Sequence, residues 1–463
     1  MSAGAPANAS CLAVTDDDHV PGGRLRRLSR IAYLTARTTG DLLAARARRQ
    51  LGTPGEAGEP DLTKAAQRIL GTLGELKGAA LKLGQALAMD PDALPAEARR
   101  IVAKLLSQAP QRMPYDSVAQ VIAAELGARP EDLFAEFDPE PIAAASLGQV
   151  HAATLPASLG GGEVVVKVQY PGVDKALESD LANAGVLVRG FALTGQALDG
   201  RDYYEEVRAS LLRELDYRQE AAQCEAWARA AAGYPELVVP RVIAARSAHR
   251  VLCLSRLRGP SLLEAIESHP APEERFRIAR LLIFAIWGPF FAARLIHADP
   301  HPGNFLVLPD GRLGVLDFGA TKLLSEGFAE VYRGFLAAHA QGRRRPQVGP
   351  ALRRAGFRFL GDDEEEAFDF CERIADIVER PILEDADYDF GEDPMVVDAR
   401  RLFQSEPRLA LSIKPPREAV LFYRAAAGLA QDLRLLKAKG RFRPVLREIE
   451  ERGFSRASAQ GPG

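Results

Sequence analysis

The sequence predicts an α+β chain of two lobes, a small strand-rich one followed by a larger helical one, with a helical extension in front. Three observations predict it. Short β-type runs cluster between residues 136 and 258, apolar spacing beyond residue 259 is almost wholly helical, and residues 24–135 show helical patterns without strands. The 463 residues, 47% hydrophobic and 26% charged, supply enough apolar side chain for a large buried core.

Charge and cysteine usage narrow the function classes. A formal net charge of -3 describes a balanced surface, which excludes the basic field that tracks a nucleic-acid backbone. Cys11, Cys224, Cys253 and Cys371 are far apart, form no CxxC pair, and read as reduced thiols of a cytosol-like compartment. The longest apolar stretch, residues 281–295, is short and ends at Arg294, so the chain is expected not to cross a membrane by itself.

Residues 1–23 are small, polar and punctuated by Gly and Pro, and read as a disordered tail; Asp16, Asp17 and Asp18 argue against a targeting peptide. Residues 24–135 form the extension. Within it, residues 24–51 place Leu25, Leu28, Ala32 and Ala36 at helical spacing among five arginines, Arg24, Arg26, Arg27, Arg30 and Arg37. Such a helix suits either an anionic membrane surface or a solvated face over a packed one. The next helix, residues 61–89, has an apolar stripe and a second stripe of Gly71, Gly74, Gly78, Lys82 and Gln85. Each interior glycine costs about 1 kcal/mol relative to alanine. A close approach to other backbone offsets that cost and brings Lys82 and Gln85 against another part of the protein.

Residues 136–258 form the strand-rich lobe, with strands expected over 148–153, 164–168, 238–243 and 251–254 and helices over 174–193 and 203–232. In GGGEVVVKVQ, Lys167 lies inside an apolar strand, where an unpaired ammonium is costly and calls for an anion. The helix of 203–232 carries Glu214, Asp216 and Glu220; helical geometry turns Glu214 away from Asp216. Lys167 is therefore assigned to Glu220, and Lys82 to Glu214 or Asp216. The stretch PIAAASLGQV offers Ala143, Ala144, Ala145 and Ser146 where a glycine-rich loop would cover phosphates, and Arg256 and Leu257 follow the last strand as nucleotide-binding candidates.

Residues 259–463 form the helical lobe, broken by strands over 305–308 and 313–316. Its first third holds HADPHPGNFLVLPDGRLGVLDFG, with Asp299 five residues before Asn304 and Asp317 thirteen after it. Phosphoryl transfer needs a carboxylate near the nucleophile, and an amide and a second carboxylate to hold magnesium on the phosphates. Asp299 fits the first role, Asn304 and Asp317 the metal, and ATP with Mg2+ is the implied ligand. A metal cluster of His297, Asp299 and His301 is the competing reading, weakened by the absence of a further ligand at zinc-like spacing. The two-lobed order and these motifs describe a bilobal protein-kinase-like fold. Only residues 320–324 separate the DFG from the next helical pattern, too few for an activation segment that would hold a protein substrate.

The residues KLGQ at 82–85, ELD at 214–216 and the alanines at 143–145 resemble the KxGQ, ExD and alanine-rich signatures of the UbiB/AarF atypical kinases over nearly the whole chain. The pattern is similar to the mitochondrial coenzyme Q branch. The resemblance implies that the extension folds across the cleft, with Lys82, Gln85, Glu214 and Asp216 occluding it. It also implies ATP hydrolysis or small-molecule phosphorylation in support of ubiquinone biosynthesis. A lipid or quinone precursor is the partner it suggests; the arginine-rich pattern of 24–51 adds an expected peripheral contact with the inner membrane from the cytoplasmic side, and a homodimer is a further expected partner. The alternative is a catalytically weak, nucleotide-dependent scaffold.

Overall fold

The structure, a computed structural model, describes residues 112–145, 147–175, 215–361 and 363–457. The expectations for the tail, the extension before residue 112, Ser146, Glu214 and most of the 174–193 helix lie outside the described residues.

Helix α1 (Tyr115–Leu126) follows Pro114 and ends at Gly127, whose φ of 83° lets its N–H reach the Ala123 carbonyl. Val118 and Ile122, one turn apart, are fully buried against the strands of the small lobe. That sheet is antiparallel and contains β1 (Glu136–Ala145), β2 (Gly148–Thr154), β3 (Glu163–Gln169) and β5 (Val251–Ser255), in the order β1-β2-β3-β5. Alternation is clean in β3: Val164, Val166 and Val168 face the core beneath α1, which puts Lys167 on the other face, toward the cleft.

Three expectations need correction here. Residues 143–145 are regular strand rather than loop: they are the end of β1, paired with Val150, Gln149 and Gly148. Strand β1 escaped the sequence reading because Pro139 and Pro141 interrupt its register and most of its side chains face solvent, so no alternation signals it. The 238–243 strand shrinks to β4 (Leu237–Val238) plus a single bridge from Val242 to Leu254. The 203–232 helix does not run through Asp216: residues 203–214 lie outside the described residues, and helix α2 (Tyr217–Ala230) starts only after Asp216, which is extended at φ -116° and caps α2 by accepting from the Arg218 N–H. An N-cap aspartate competes with helix continuation, so Asp216 and Glu220 do not share a helical face.

Gly148 sets how tightly β2 and β3 pair. A Cβ there would stand 2.0 Å from the Val168 carbonyl oxygen, backbone that cannot yield without breaking the ladder. Gly148→Ala is expected to lower stability by about 3 kcal/mol, an overpacking cost readable as a fall in the urea midpoint.

Buried polar groups tie the start of the described chain to the sheet. Gln149 accepts from Met113 N at 3.1 Å and donates to Met113 O at 3.2 Å, and its amide nitrogen lies 3.0 Å from His151 Nε2. The amide is a donor, so Nε2 accepts, and the ring proton sits on Nδ1, donating to Asp138 O at 2.9 Å. Burial holds the His151 pKa below its usual 6.5, a shift that the Asp138 carbonyl and the Asp138 and Glu140 carboxylates oppose. A depressed folded pKa means that stability is complete above the unfolded value and is lost as pH falls below about 6.5. The unfolding midpoint of the wild type is expected to drop in that window more than that of His151→Gln.

The helical lobe begins with α3 (Leu262–Glu267), started by a reciprocal capping box between Ser261 and Glu264. Helix α4 (Pro272–Ala293) is 22 residues long and apolar enough to cross a membrane by length and composition alone. It is instead mostly buried as the central core helix, with Ala279, Leu282 and Phe284 inaccessible. Arg294, at φ 59°, caps it and turns the chain into the site. Strands β6 (Leu295–His297) and β9 (Thr321–Leu323) pair antiparallel, while β7 (Phe305–Val307) and β8 (Leu313–Val315) form a sheet with β4 in the order β4-β8-β7. Helix α5 (Glu326–Ala340) follows directly, and α6 (Arg417–Leu435) and α7 (Arg443–Ala457) pack on α4.

Candidate functional site

The cleft between the lobes gathers residues from β3, α2 and the segment spanning β6 to β9. Lys167 Nζ lies 2.9 Å from both Glu220 oxygens and 3.7 Å from Asp317 Oδ2, with the Tyr217 ring 5.1 Å away. Burial alone would discharge the amine, but the Asp317 and Glu220 carboxylates outweigh it and hold the pKa well above its usual value. Lys167 is thus a fixed cation between two anions.

Asp317 sits at φ 53°, the left-handed region that non-glycine residues avoid, and accepts from Gly319 N at 3.2 Å. His297 explains how that conformation is held. Its Nε2 donates to the Asp317 carbonyl at 2.8 Å and its Nδ1 accepts from Asp299 N at 3.3 Å, so one buried imidazole joins the backbones of both aspartates. With both ring nitrogens engaged, His297 is no metal ligand, and His301 spends its Nδ1 on Gly303 N. Among the described residues no three His, Cys, Asp or Glu side chains form a metal cluster. Phe318 is buried between His297 and Trp227, at ring separations of 5.9 and 5.5 Å.

Asn304 donates from Nδ2 to the Asp299 carbonyl at 2.8 Å, which leaves its side-chain oxygen for a cation. A hard oxygen donor there and the partly exposed Asp317 carboxylate suit magnesium, which takes few protein ligands and keeps waters. The Asp299 carboxylate is held by Arg424 of α6, Nη2 to Oδ1 at 2.6 Å. Gln223 of α2 donates to the Thr321 carbonyl at 3.2 Å, just beyond the DFG.

Of the candidate residues, Lys167, Glu220, Asp299, Asn304 and Asp317 come together in this cleft. Ala143, Ala144 and Ala145 lie on β1. Arg256 and Leu257 lie in the linker after β5, where Arg256 N donates to Glu163 O and Leu257 packs beside Gly314 of β8. Asp216 is bound by Arg218, Nη2 to Oδ2 at 2.9 Å. Lys82, Gln85, Glu214 and Ser146 are outside the described residues. Sequence reasoning missed Arg424 and Gln223. For Arg424 the only available signal was the small-residue run Ala425, Ala426, Ala427, Gly428, which marks a closely packed helix; for Gln223 it was a position one helical turn beyond Glu220.

A family model described as the ABC1 atypical kinase-like domain matches residues 104–345, more than half of the chain. The chain is 30% identical over 421 residues to "Atypical kinase COQ8B, mitochondrial" of Rattus norvegicus, covering 88% of this chain and 77% of that protein. It is 32% identical over 273 residues to "Atypical kinase COQ8, mitochondrial" of Saccharomyces cerevisiae, covering 58% of this chain and 53% of that protein. A solved complex of Rv3197 with erythromycin from Mycobacterium tuberculosis is similar at a TM-score of 0.57 and 29% identity, covering 85% of this chain and 97% of that one. With a strand lysine paired to a helix glutamate beside the DFG aspartate, and this extent of family similarity, the chain belongs to the ABC1 (UbiB/AarF) family of atypical, ATP-dependent kinase-like enzymes.

Proposed function

We propose that the cleft binds Mg-ATP and transfers its γ-phosphoryl group to water or to a small lipid precursor rather than to a protein, in support of ubiquinone biosynthesis. The observation that carries this reading is Lys167 Nζ held between Glu220 at 2.9 Å and Asp317 at 3.7 Å. Lys167 would bind the nucleotide phosphates, and Asn304 and Asp317 would hold magnesium, which when bound neutralises phosphate charge. Asp299 would orient the nucleophile and accept its proton. The end of β1 at Ala143 to Ala145, with Ser146, would cover the phosphates, and Arg256 and Leu257 would line the base.

The small acceptor is supported by the short connection after the DFG: β9 ends at Leu323 and Ser325 already caps α5. The COQ8 names of the relatives support the quinone connection. Lys82, Gln85, Glu214 and Asp216 would occlude the cleft. Residues 24–51 would hold the chain on the cytoplasmic surface of an inner membrane, and a homodimer belongs to the same reading. A second reading, a weakly catalytic nucleotide-dependent scaffold, is favoured by one contact, the Arg424 guanidinium on the Asp299 carboxylate.

The test is ATP turnover by the full chain, with and without anionic liposomes and quinone-precursor phenols. Turnover that rises with liposomes or phenols and vanishes in Asp299→Asn supports the enzyme. Nucleotide binding with turnover unchanged in Asp299→Asn supports the scaffold.

A further inference from the structure

In protein kinases the helix carrying the lysine's glutamate partner is positioned by a phosphorylated activation loop. This chain has no room for one: five residues, 320–324, separate Gly319 from the Ser325 that caps α5. Something else must set α2 against the DFG segment. Three contacts bear on it. The α2 N-terminus hangs on the small lobe, through Tyr217 N to His249 O at 2.9 Å. Trp227 packs against Phe318, a contact without direction that tolerates sliding. Gln223 donates to the Thr321 carbonyl at 3.2 Å, and this contact is directional.

The placement of Gln223 fits the task. It lies three residues after Glu220, on the same side of α2. Its acceptor is the backbone of β9, which is paired to β6 through His297 and Thr321, the same His297 that fixes the Asp317 carbonyl. One amide therefore ties the helix bearing Glu220 to the strand next to Asp317. We propose that Gln223 is a positioning residue that keeps α2 docked on the DFG segment, so that the Lys167, Glu220 and Asp317 array stands assembled without phosphorylation. This rests on the cleft being the Mg-ATP site.

The test uses three variants of the full-length chain that differ in what they present to the Thr321 carbonyl. Gln223→Glu keeps the shape and replaces a donor by an acceptor, Gln223→Met keeps the length without polarity, and Gln223→Lys restores a donor. The expected order of kcat with Mg-ATP is Glu lowest, about tenfold below wild type, Met intermediate, and Lys within about threefold of wild type. Amide hydrogen exchange in α2 should rise in the same order of damage, while α4 stays protected. If Gln223→Glu does not fold, the Met and Lys pair decides by the same criterion. Equal kcat in the Met and Lys variants, or a Glu variant within twofold of wild type, overturns the role of Gln223 while loss of turnover in Asp317→Asn leaves the site reading standing. Turnover retained in Asp317→Asn overturns both.

Discussion

Asparagine in place of Asp317 is expected to lower Mg-ATP turnover by about 10³-fold and to weaken magnesium-dependent nucleotide binding, because it removes the one negative charge proposed to face the metal. A factor of that size corresponds to about 4 kcal/mol of transition-state stabilisation. The fold should survive. Lys167 keeps Glu220 at 2.9 Å, and the backbone hold of His297 on residue 317 does not involve the carboxylate. The measurement is steady-state ATPase activity together with a titration of fluorescent nucleotide at varied magnesium. A variant with more than a tenth of wild-type turnover and an unchanged magnesium dependence would remove Asp317 from the metal site.

The second large effect concerns stability. Asp432 on α6 is 1% exposed, its Oδ2 has no hydrogen-bond partner, and burial pushes its pKa up to about 8 from the ordinary 3.8. A folded pKa above the unfolded one means that the unfolded chain gives up its proton first as pH rises. The contribution to stability is complete below about pH 4 and is lost progressively toward pH 8, by an amount on the order of 5–6 kcal/mol. Asp432→Asn keeps the shape and cannot ionise, so its urea midpoint is expected to exceed the wild-type value at pH 8 by more than at pH 5. Parallel pH profiles for the two proteins would show that Asp432 is not a buried carboxyl under strain.

The residues that gather in the candidate site were legible where they are local. The spacing of Asp299, Asn304 and Asp317 lies within one segment, and Lys167 stood out because a cation in an apolar strand needs a partner. Pairing Lys167 with Glu220 needed only helix geometry. The same geometry misled upstream, because an aspartate in the middle of a helical pattern reads equally as a helix residue or as a cap, and Asp216 is the cap. The alanines were legible as a segment but not as a strand. Prolines at 139 and 141 and a solvent-facing surface erase the alternation by which β1 would be recognised.

The amino-acid order by itself determined which functional groups exist and how those in one segment are spaced, since motifs, caps and strand alternation depend on neighbours a few residues away. Only the tertiary structure decided that Arg424, 125 residues from Asp299, closes on its carboxylate, that Gln223 spans from α2 to β9, and that α4 is the helix on which α6 and α7 pack. Those outcomes depend on how two lobes and a buried helix dock. Docking is governed by the summed packing of many distant side chains, which no local pattern encodes.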